Sequence, residues 1–499
     1  MPGRPRTASS RPRPFEIGAR SVLVAVAALP LVSLGLAIAG RIGFPYPLEW
    51  MEGVVLEHAA RLLAGEPLYG PPSGSFVPLV YAPMSYGVMA VFLFVGGTSL
   101  AWARASSVAA TAFTIFAVGA LAARGARAEH RPWTAILAAG LYAAGFAYGG
   151  TFYDLCRVDA VAIALLAAAV TLVRPDATRS RSIAGFLLFA LAVLAKQQVL
   201  PVMVAATALA LRQRRLRLSA LIGWAALALL AAAIQVASNG WFWTYAVTIP
   251  GGHELHPSVA ALSLVLDFAV PLPLLVVASG IALVQARRSP EPLHAAVIGG
   301  VVAAVLGRAH QGGFENVLLT AFVFLAPCAA ATIARWALDR DLTVARRALV
   351  LAALVIQLLV LITPPRAFVP TRADLAAWRR AERALRECAR GGRAVALDHA
   401  GLGGTRFAHT MAISDVLTGA RRPLRQRTEQ AVVRALDPEV LGAVGVGDAT
   451  FPAMDRALLS RFEACAQVAA PPMQAGHDPG RLRIWAARGL LADVVNPVR

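Results

Sequence analysis

Glu49 and Glu52 are the first side chains in the sequence whose type and spacing suit catalysis. They lie three positions apart, so in a helix they would share one face. A carboxylate beside Tyr46 and Trp50 is partly desolvated, which raises its proton affinity and suits it to general-base catalysis or to holding a cation. The alternative is a solvated pair of carboxylates beside an aromatic belt.

A second cluster, Asp154, Arg157 and Asp159, stands immediately before an apolar run. A guanidinium matches phosphate oxygens in a bidentate way, so Arg157 is a candidate phosphate ligand. Asp154 and Asp159 are candidates for contact with a sugar, an acceptor or a metal ion. The alternative is an internal ion pair, and the two interpretations are compatible.

Lys196 interrupts an apolar stretch over 183–211 and is the single lysine among 47 basic residues. A charge inside a membrane segment is costly and indicates function, although a lysine that snorkels to the interface is the alternative. A later glycine-rich segment adds Arg308 as a third candidate phosphate ligand. The same segment adds three candidates for contact with sugar, acceptor or metal: His310, Glu315 and Asn316.

The composition is that of a membrane protein. The 499 residues are 58% hydrophobic and 15% charged, with a mean hydropathy of +0.62, which excludes a large water-soluble enzyme. The net charge of +19 comes from short arginine clusters between apolar runs, which indicates positive-inside loops and no nucleic-acid partner. The four cysteines lack metal-ligand spacing, so carboxylates would have to hold any Mg²⁺ or Mn²⁺ ion.

Apolar runs long enough to cross or nearly cross a bilayer predict about eleven transmembrane helices. They are at roughly 21–40, 105–123, 133–150, 160–173, 183–195, 199–211, 218–238, 261–286, 293–307, 317–334 and 348–363. Segment 83–98 is shorter and predicts an interfacial helix. Arginine is enriched in every second loop, which predicts a cytoplasmic N-terminus and puts all the candidate residues on the extracytoplasmic face.

The sequence therefore predicts an all-α polytopic membrane bundle with a small C-terminal α/β extracytoplasmic domain. The predicted divisions are a cytoplasmic tail over 1–20, a transmembrane domain over 21–363 and the exported domain over 364–499. The first apolar run could instead be a cleavable signal peptide. In the exported domain we expect a helix over 372–390 and a strand over 393–398, and a disulfide between Cys388 and Cys465 is plausible on the oxidising side.

These residues together resemble a GT-C-type glycosyltransferase, the polytopic class of protein mannosyltransferases and aminoarabinose transferases, over roughly 21–365. The segment Glu49-Trp-Met-Glu52 is similar to the acidic pair of the first outer loop in that class, and Asp159 to an aspartate ahead of a later span. Lys196 is similar to the lysine after the fifth span. The first loop departs from the pattern, because the class usually has an aspartate where this chain has only glutamates.

The resemblance implies inverting transfer of a sugar from a polyprenyl-phosphate donor to a lipid, glycan or protein acceptor at the cell envelope, in the cytoplasmic (inner) membrane. Glu52 would be the general base, with Glu49 as the alternative. Arg157, Lys196 and Arg308 would meet the donor phosphate, and a divalent cation is left open. The competing hypothesis is a secondary transporter of an anionic or lipid-linked substrate, which would place its charges on broken helices near the midplane.

Overall fold

A computed structural model describes residues 14–174, 176–400, 402–447, 450–476 and 480–488. The described chain is mostly helical, with one small sheet near the C-terminus. Most of the predicted cytoplasmic tail over 1–20 lies outside the described residues. The division into domains at residues 20 and 363 stays a prediction.

The first half of the chain forms helices at or close to the predicted apolar runs. They are α1 (Pro14–Arg41), α2 (Glu52–Leu63), α3 (Met84–Gly96), α4 (Leu100–Arg124), α5 (Arg131–Ala144), α6 (Asp159–Leu172), α7 (Arg179–Ala195), α8 (Leu200–Arg212) and α9 (Arg214–Ala237). The second half continues with α10 (Trp241–Trp243), α11 (Ile249–Gly251), α12 (Pro257–Ser263), α13 (Pro273–Ala286), α14 (Pro292–Ala309), α15 (Leu319–Leu338) and α16 (Val344–Leu361).

Six helical segments of the described chain are long and apolar enough to cross a membrane, or seven if one bent pair is a single span. The bent pair, 257–269 and 273–286, turns by 100° where the sequence predicts one straight helix over 261–286. The shorter helices α5, α6 and α8 have 13 or 14 residues, about 20 Å at 1.5 Å per residue, against a hydrocarbon core of about 30 Å. The figure of eleven spans therefore stays a prediction.

The predicted helix over 133–150 ends early, at Ala144. A Cβ on Gly145 would lie 2.0 Å from the ring of Phe322, so this close packing of α15 requires a glycine. Gly150 and Thr151 then take φ values of +65° and +64°, which a helix cannot contain. The irregular backbone that follows is buried in protein, where its polar groups can find partners away from lipid.

Helix α15 is the centre of the bundle. Every residue over 319–330 is buried, and α4, α5, α13 and α14 pack around it. Several outer helices instead leave large apolar side chains exposed, including Leu229 of α9 and Leu359 of α16. A helix that is apolar on its outer face is stable in lipid, so the chain is an integral membrane protein.

The C-terminal part is an α/β unit, as predicted. Its helices are α17 (Arg372–Ala389), α18 (Thr410–Gly419), α19 (Arg422–Ala435) and α20 (Pro452–Arg461), and its strands are β1 (Arg393–Ala396), β2 (Leu441–Val446), β3 (Phe462–Ala469) and β4 (Arg481–Ala487). The sheet order is β1-β2-β4-β3, with β1 and β2 parallel and the other pairs antiparallel. Cys388 and Cys465 form a disulfide that links α17 to β3, with a Cα–Cα distance of 6.1 Å.

The C-terminal unit rests on the loop between α1 and α2. The backbone N–H of Gln474 donates to the carbonyl of Leu48 at 2.8 Å, and the Tyr46 hydroxyl donates to Glu382 at 2.8 Å. The Tyr46 ring also stacks on Trp378 of α17, with centroids 5.0 Å apart. This first loop is therefore enclosed between the bundle and the C-terminal unit.

A buried ion pair ties the first loop to the bundle. The guanidinium of Arg104, on α4, donates to both oxygens of Glu52, at 2.9 Å and 2.6 Å, and both side chains are fully buried. Glu52 also accepts the backbone N–H groups of Leu48 and Cys156 at 2.7 Å each. One carboxylate thus joins the first loop, α4 and the segment that precedes α6.

A second buried pair lies beside it, between Arg41 at the end of α1 and Asp154, with an N–O distance of 3.0 Å. Arg41 also donates to the carbonyl of Thr151 at 3.2 Å. The two pairs hold the irregular segment before α6 against the ends of α1 and α4.

Replacing Glu52 should destabilise the protein, because Arg104 would keep a buried charge without its partner. We expect Glu52→Gln to lower the free energy of unfolding by about 3 kcal/mol or more, seen as a lower melting temperature in detergent. The matched control is Glu129→Gln, since Glu129 is an exposed carboxylate at the other end of the bundle. Equal melting temperatures for the two variants would contradict this account of the fold.

Candidate active site

A cavity of about 470 Å³ lies where the helix ends of the bundle meet the C-terminal unit. Its polar lining comes from five loops, the end of α7 and helix α18: Glu49, Tyr81, Arg157, Lys196, Gln197, Gln198, His253, His310, Gln311, Asn316 and Asp415. Its apolar lining includes Val80, Phe152, Leu200, Pro201, Leu255, Leu306, Phe314, Val317 and Met411. Its volume falls in the range of small-molecule sites, about 300–1,000 Å³.

Glu49 is the first-loop carboxylate that reaches this cavity. Its two oxygens lie 3.2 Å from one guanidinium nitrogen of Arg157, and one of them accepts the backbone N–H of Met51 at 3.0 Å. Burial raises the pKa of Glu49 to about 7, against the opposing effect of Arg157. At neutral pH this carboxyl group is therefore partly ionised, and its ionised form can accept a proton.

Glu52 is outside the cavity lining, although the sequence favours it as the base. Burial acts to raise the pKa of Glu52, but the guanidinium of Arg104 and two backbone N–H groups outweigh burial, and the net pKa is lowered. Its oxygens are fully engaged in these contacts. Two glutamates three residues apart thus have opposite environments, a pattern typical of different roles.

Arg157 lies between two acidic residues and the cavity. Besides Glu49 it contacts Asp159, with an N–O distance of 4.0 Å, and it donates to the hydroxyl of Tyr81 at 3.2 Å. Its guanidinium also lies over the ring of Phe152, 5.5 Å from the centroid. These contacts fix the orientation of the guanidinium at the cavity wall.

Lys196 supplies the second cation. Its ammonium donates to Asp159 at 2.6 Å, and the amide of Asn316 donates to the same carboxylate oxygen at 2.9 Å. Asp159 is the first residue of α6, where the helix dipole favours a negative charge. The three residues come from the start of α6, the end of α7 and the turn that precedes α15, so the network also joins these helices.

The polar break after α7 has a local structural cause. Lys196 takes an extended backbone conformation that ends α7. The side chains of the next two residues donate hydrogen bonds to backbone carbonyls of neighbouring segments. The Gln197 amide donates to the carbonyls of Val80 and Ala246, and that of Gln198 to the carbonyl of Ala303. The break in the apolar run thus holds surrounding loops as well as presenting a cation.

The remaining predicted site residues are spread around the cavity. His310 lines it, with Nε2 3.0 Å from the carbonyl of Pro250. Arg308 is outside the lining and pairs with Asp267 at 3.0 Å. Glu315 is half-exposed and 3.9 Å from Arg308, and Asp154 is committed to the pair with Arg41. The structure therefore brings together Glu49, Arg157, Asp159, Lys196, His310 and Asn316.

Sequence reasoning missed Arg41 and Arg104, which hold Asp154 and Glu52, and it missed Asp415 in the cavity wall. The signal for the two arginines is their position at the ends of apolar helices, where a charge is costly and needs a partner. For Asp415 the sequence offers no signal, because nothing in the chain order brings α18 to the helix ends of the bundle.

The described side chains offer no set of three or more His, Cys, Asp or Glu residues placed to hold a metal ion. Within the site, Glu49 and Asp159 are both paired with cations. Asn316 adds one amide group on Asp159. These residues do not fit a divalent cation, so no step of the chemistry is assigned to one.

Neither a protein-family model nor a curated protein matches the sequence. The fold is similar to two crystal structures of the aminoarabinose transferase ArnT from Cupriavidus metallidurans, in the apo state and bound to undecaprenyl phosphate. The TM-scores are 0.54 and 0.55 at 12% sequence identity, and the match covers 94% of this chain and 98% of ArnT. The chain therefore has the GT-C glycosyltransferase fold that the sequence resemblance predicts.

Proposed function

We propose that this protein is a membrane glycosyltransferase that moves a pentose or hexose from a polyprenyl-phosphate donor to an acceptor hydroxyl. The observation that best supports this is that a first-loop carboxylate, Glu49, and two cations, Arg157 and Lys196, meet in one cavity. A base and a cationic phosphate site are what such a transfer requires. The similarity of fold to ArnT, solved with undecaprenyl phosphate, supports the same class of donor.

The donor phosphate is assigned to Arg157 and Lys196. Each lies within hydrogen-bonding distance of a protein carboxylate, Glu49 for the arginine and Asp159 for the lysine, so neither is an isolated buried charge when the site is empty of donor. A phosphate between them would accept charge-assisted hydrogen bonds from both. The apolar side chains of the lining are suited to the first isoprene units of the lipid.

Glu49 is assigned as the general base. It removes the proton of the acceptor hydroxyl as that oxygen attacks the anomeric carbon. The bond from the anomeric carbon to the phosphate oxygen breaks, and polyprenyl phosphate leaves with the electron pair. Attack from the face opposite the phosphate inverts the anomeric configuration, while Arg157 and Lys196 stabilise the charge that develops on the phosphate.

The other predicted site residues divide into two groups. Asp159 and Asn316 position Lys196, and His310 in the lining is assigned to contact with the sugar or the acceptor. Asp154 holds Arg41, and Arg308 and Glu315 lie outside the lining, so these three are assigned no contact with the donor. Glu52 is assigned to holding the first loop.

The arginine clusters support a topology in which the cavity and the C-terminal unit lie on the extracytoplasmic side of the inner membrane and the N-terminus lies in the cytoplasm. An acceptor lipid, glycan or protein of the cell envelope would reach the cavity from that side. The charges lie at helix ends instead of near the middle of broken helices, which favours transfer over the competing hypothesis of transport.

Glu49→Gln should abolish most of the turnover, because the amide cannot accept the proton while it keeps the size of the side chain. We expect a loss of about 10²- to 10⁴-fold in the release of undecaprenyl phosphate from the sugar-linked lipid, assayed in nanodiscs with a panel of pentoses and hexoses. The control is Glu439→Gln, an exposed carboxylate of the C-terminal unit. Glu49→Gln turning over at the wild-type rate would contradict the assignment.

The pH dependence follows from the raised pKa of Glu49, since only the ionised carboxylate can act as a base. The value of kcat/KM should fall about tenfold for each pH unit below about 7 and level off above it. The measurement is the rate of lipid phosphate release between pH 5 and pH 9 at subsaturating donor. A profile that stays flat down to pH 5 would show that Glu49 is not the titrating base.

A further inference from the structure

Helix α18 of the C-terminal unit forms part of the cavity wall. Met411 and Asp415 lie four residues apart, hence on one face of the helix, and both line the cavity. The other lining residues named above come from the loops and helices before residue 318. The cavity is thus completed by a unit that lies outside the membrane bundle in the chain.

Three contacts fix α18 in this position. At its N-terminal end, Nε2 of His409 lies 3.1 Å from the carbonyl of Trp50, next to Glu49. At its C-terminal end a Cβ on Gly419 would be 2.2 Å from the carbonyl of Ile249, so the two backbones touch. Between these ends, Nε2 of His253 lies 2.9 Å from the carbonyl of Asp415. These contacts hold α18 in place at both ends and in the middle.

The Asp415 carboxylate is buried, with the residue only 7% exposed, yet it forms no hydrogen bond or ion pair with any side chain or backbone group of the described residues. Burial raises the pKa of Asp415 to about 7, against the opposing effect of Arg157. Since Asp415 lines the cavity, a ligand bound there can supply the partner that the described protein groups do not. An acceptor without a partner at a cavity wall is a feature of a binding site.

We propose that Asp415 accepts hydrogen bonds from the hydroxyl or amino groups of the sugar carried by the lipid donor. This inference rests on the proposed function. If the phosphate binds at Arg157 and Lys196, the attached sugar occupies the cavity beside them, where Asp415 is the carboxylate left without a partner among the described lining residues. A carboxylate cannot donate in its ionised form, so it selects groups that carry N–H or O–H. The C-terminal unit would thus help to determine which sugar the protein binds.

The test compares the binding of two lipids to purified full-length protein in nanodiscs: undecaprenyl phosphate, and undecaprenyl phosphate carrying the pentose or hexose that wild type binds most tightly. Asp415→Asn should weaken binding of the sugar-linked lipid at least about tenfold and leave binding of the sugar-free lipid unchanged, because the neutral amide oxygen is a weaker acceptor than a carboxylate and the amide nitrogen only donates. Glu439→Gln in the same unit is the matched control and should change neither affinity.

Asp415→Asn should fold normally, since it removes a buried charge without changing the size of the side chain, and Asp415→Glu serves as a second variant that keeps the charge but moves it. An unchanged affinity for the sugar-linked lipid in both variants, or an equal loss for both lipids, would overturn the sugar contact. Wild type that binds neither lipid would overturn the proposed function itself. The two failures are therefore distinguishable.

Discussion

The ion pair between Glu52 and Arg104 is the interaction on which the arrangement of the site depends. Glu52 accepts hydrogen bonds from the first loop, from α4 and from the segment that leads to Arg157. Together with the neighbouring pair of Arg41 and Asp154, it holds the first loop and the irregular segment before α6 against the ends of α1 and α4. These pairs fix the backbone of both segments, so Glu49 and Arg157 meet at the cavity wall.

The two glutamates of the first loop show how position decides role when the side chains are chemically identical. Glu52 begins α2 and turns inward to a guanidinium, so it stays ionised and occupied. Glu49 lies one turn earlier, where the chain passes between the bundle and the C-terminal unit, and its carboxylate is desolvated but reaches the cavity. A base needs proton affinity near the working pH and access to substrate, and of the two only Glu49 combines them.

Much of the fold could be predicted because apolar runs and helix length follow from local sequence. Most of the predicted helices, the α/β character of the C-terminal unit and the Cys388–Cys465 disulfide are found in the structure, whereas the runs over 133–150 and 261–286 are interrupted. The enrichment of arginine in every second loop also predicted that Glu49, Arg157, Asp159 and Lys196 lie at the same end of the bundle. In the structure these four residues are in contact.

What could not be predicted depends on contacts between distant segments. The sequence favoured Glu52 over Glu49, because spacing cannot show that Arg104, 52 positions away, occupies one of two equivalent carboxylates. It grouped Arg308 with the phosphate ligands, whereas Asp267 pairs with it at the bend between α12 and α13. Asp415 lies at the cavity only because α18 packs against the helix ends of the bundle, and no periodic pattern in the sequence predicts that contact.

The most direct test of the account is the affinity of undecaprenyl phosphate for wild type and for Lys196→Gln and Arg157→Gln, measured by titration in nanodiscs. If these cations bind the phosphate as proposed, each substitution removes a charge-assisted hydrogen bond and should weaken binding by about 10- to 100-fold. Undecaprenol, which has no phosphate, should bind all three proteins equally, and Arg335→Gln at the other end of the bundle should bind undecaprenyl phosphate like wild type. Folded Lys196→Gln and Arg157→Gln proteins that keep wild-type affinity for undecaprenyl phosphate would contradict the assignment of this cavity as the donor site.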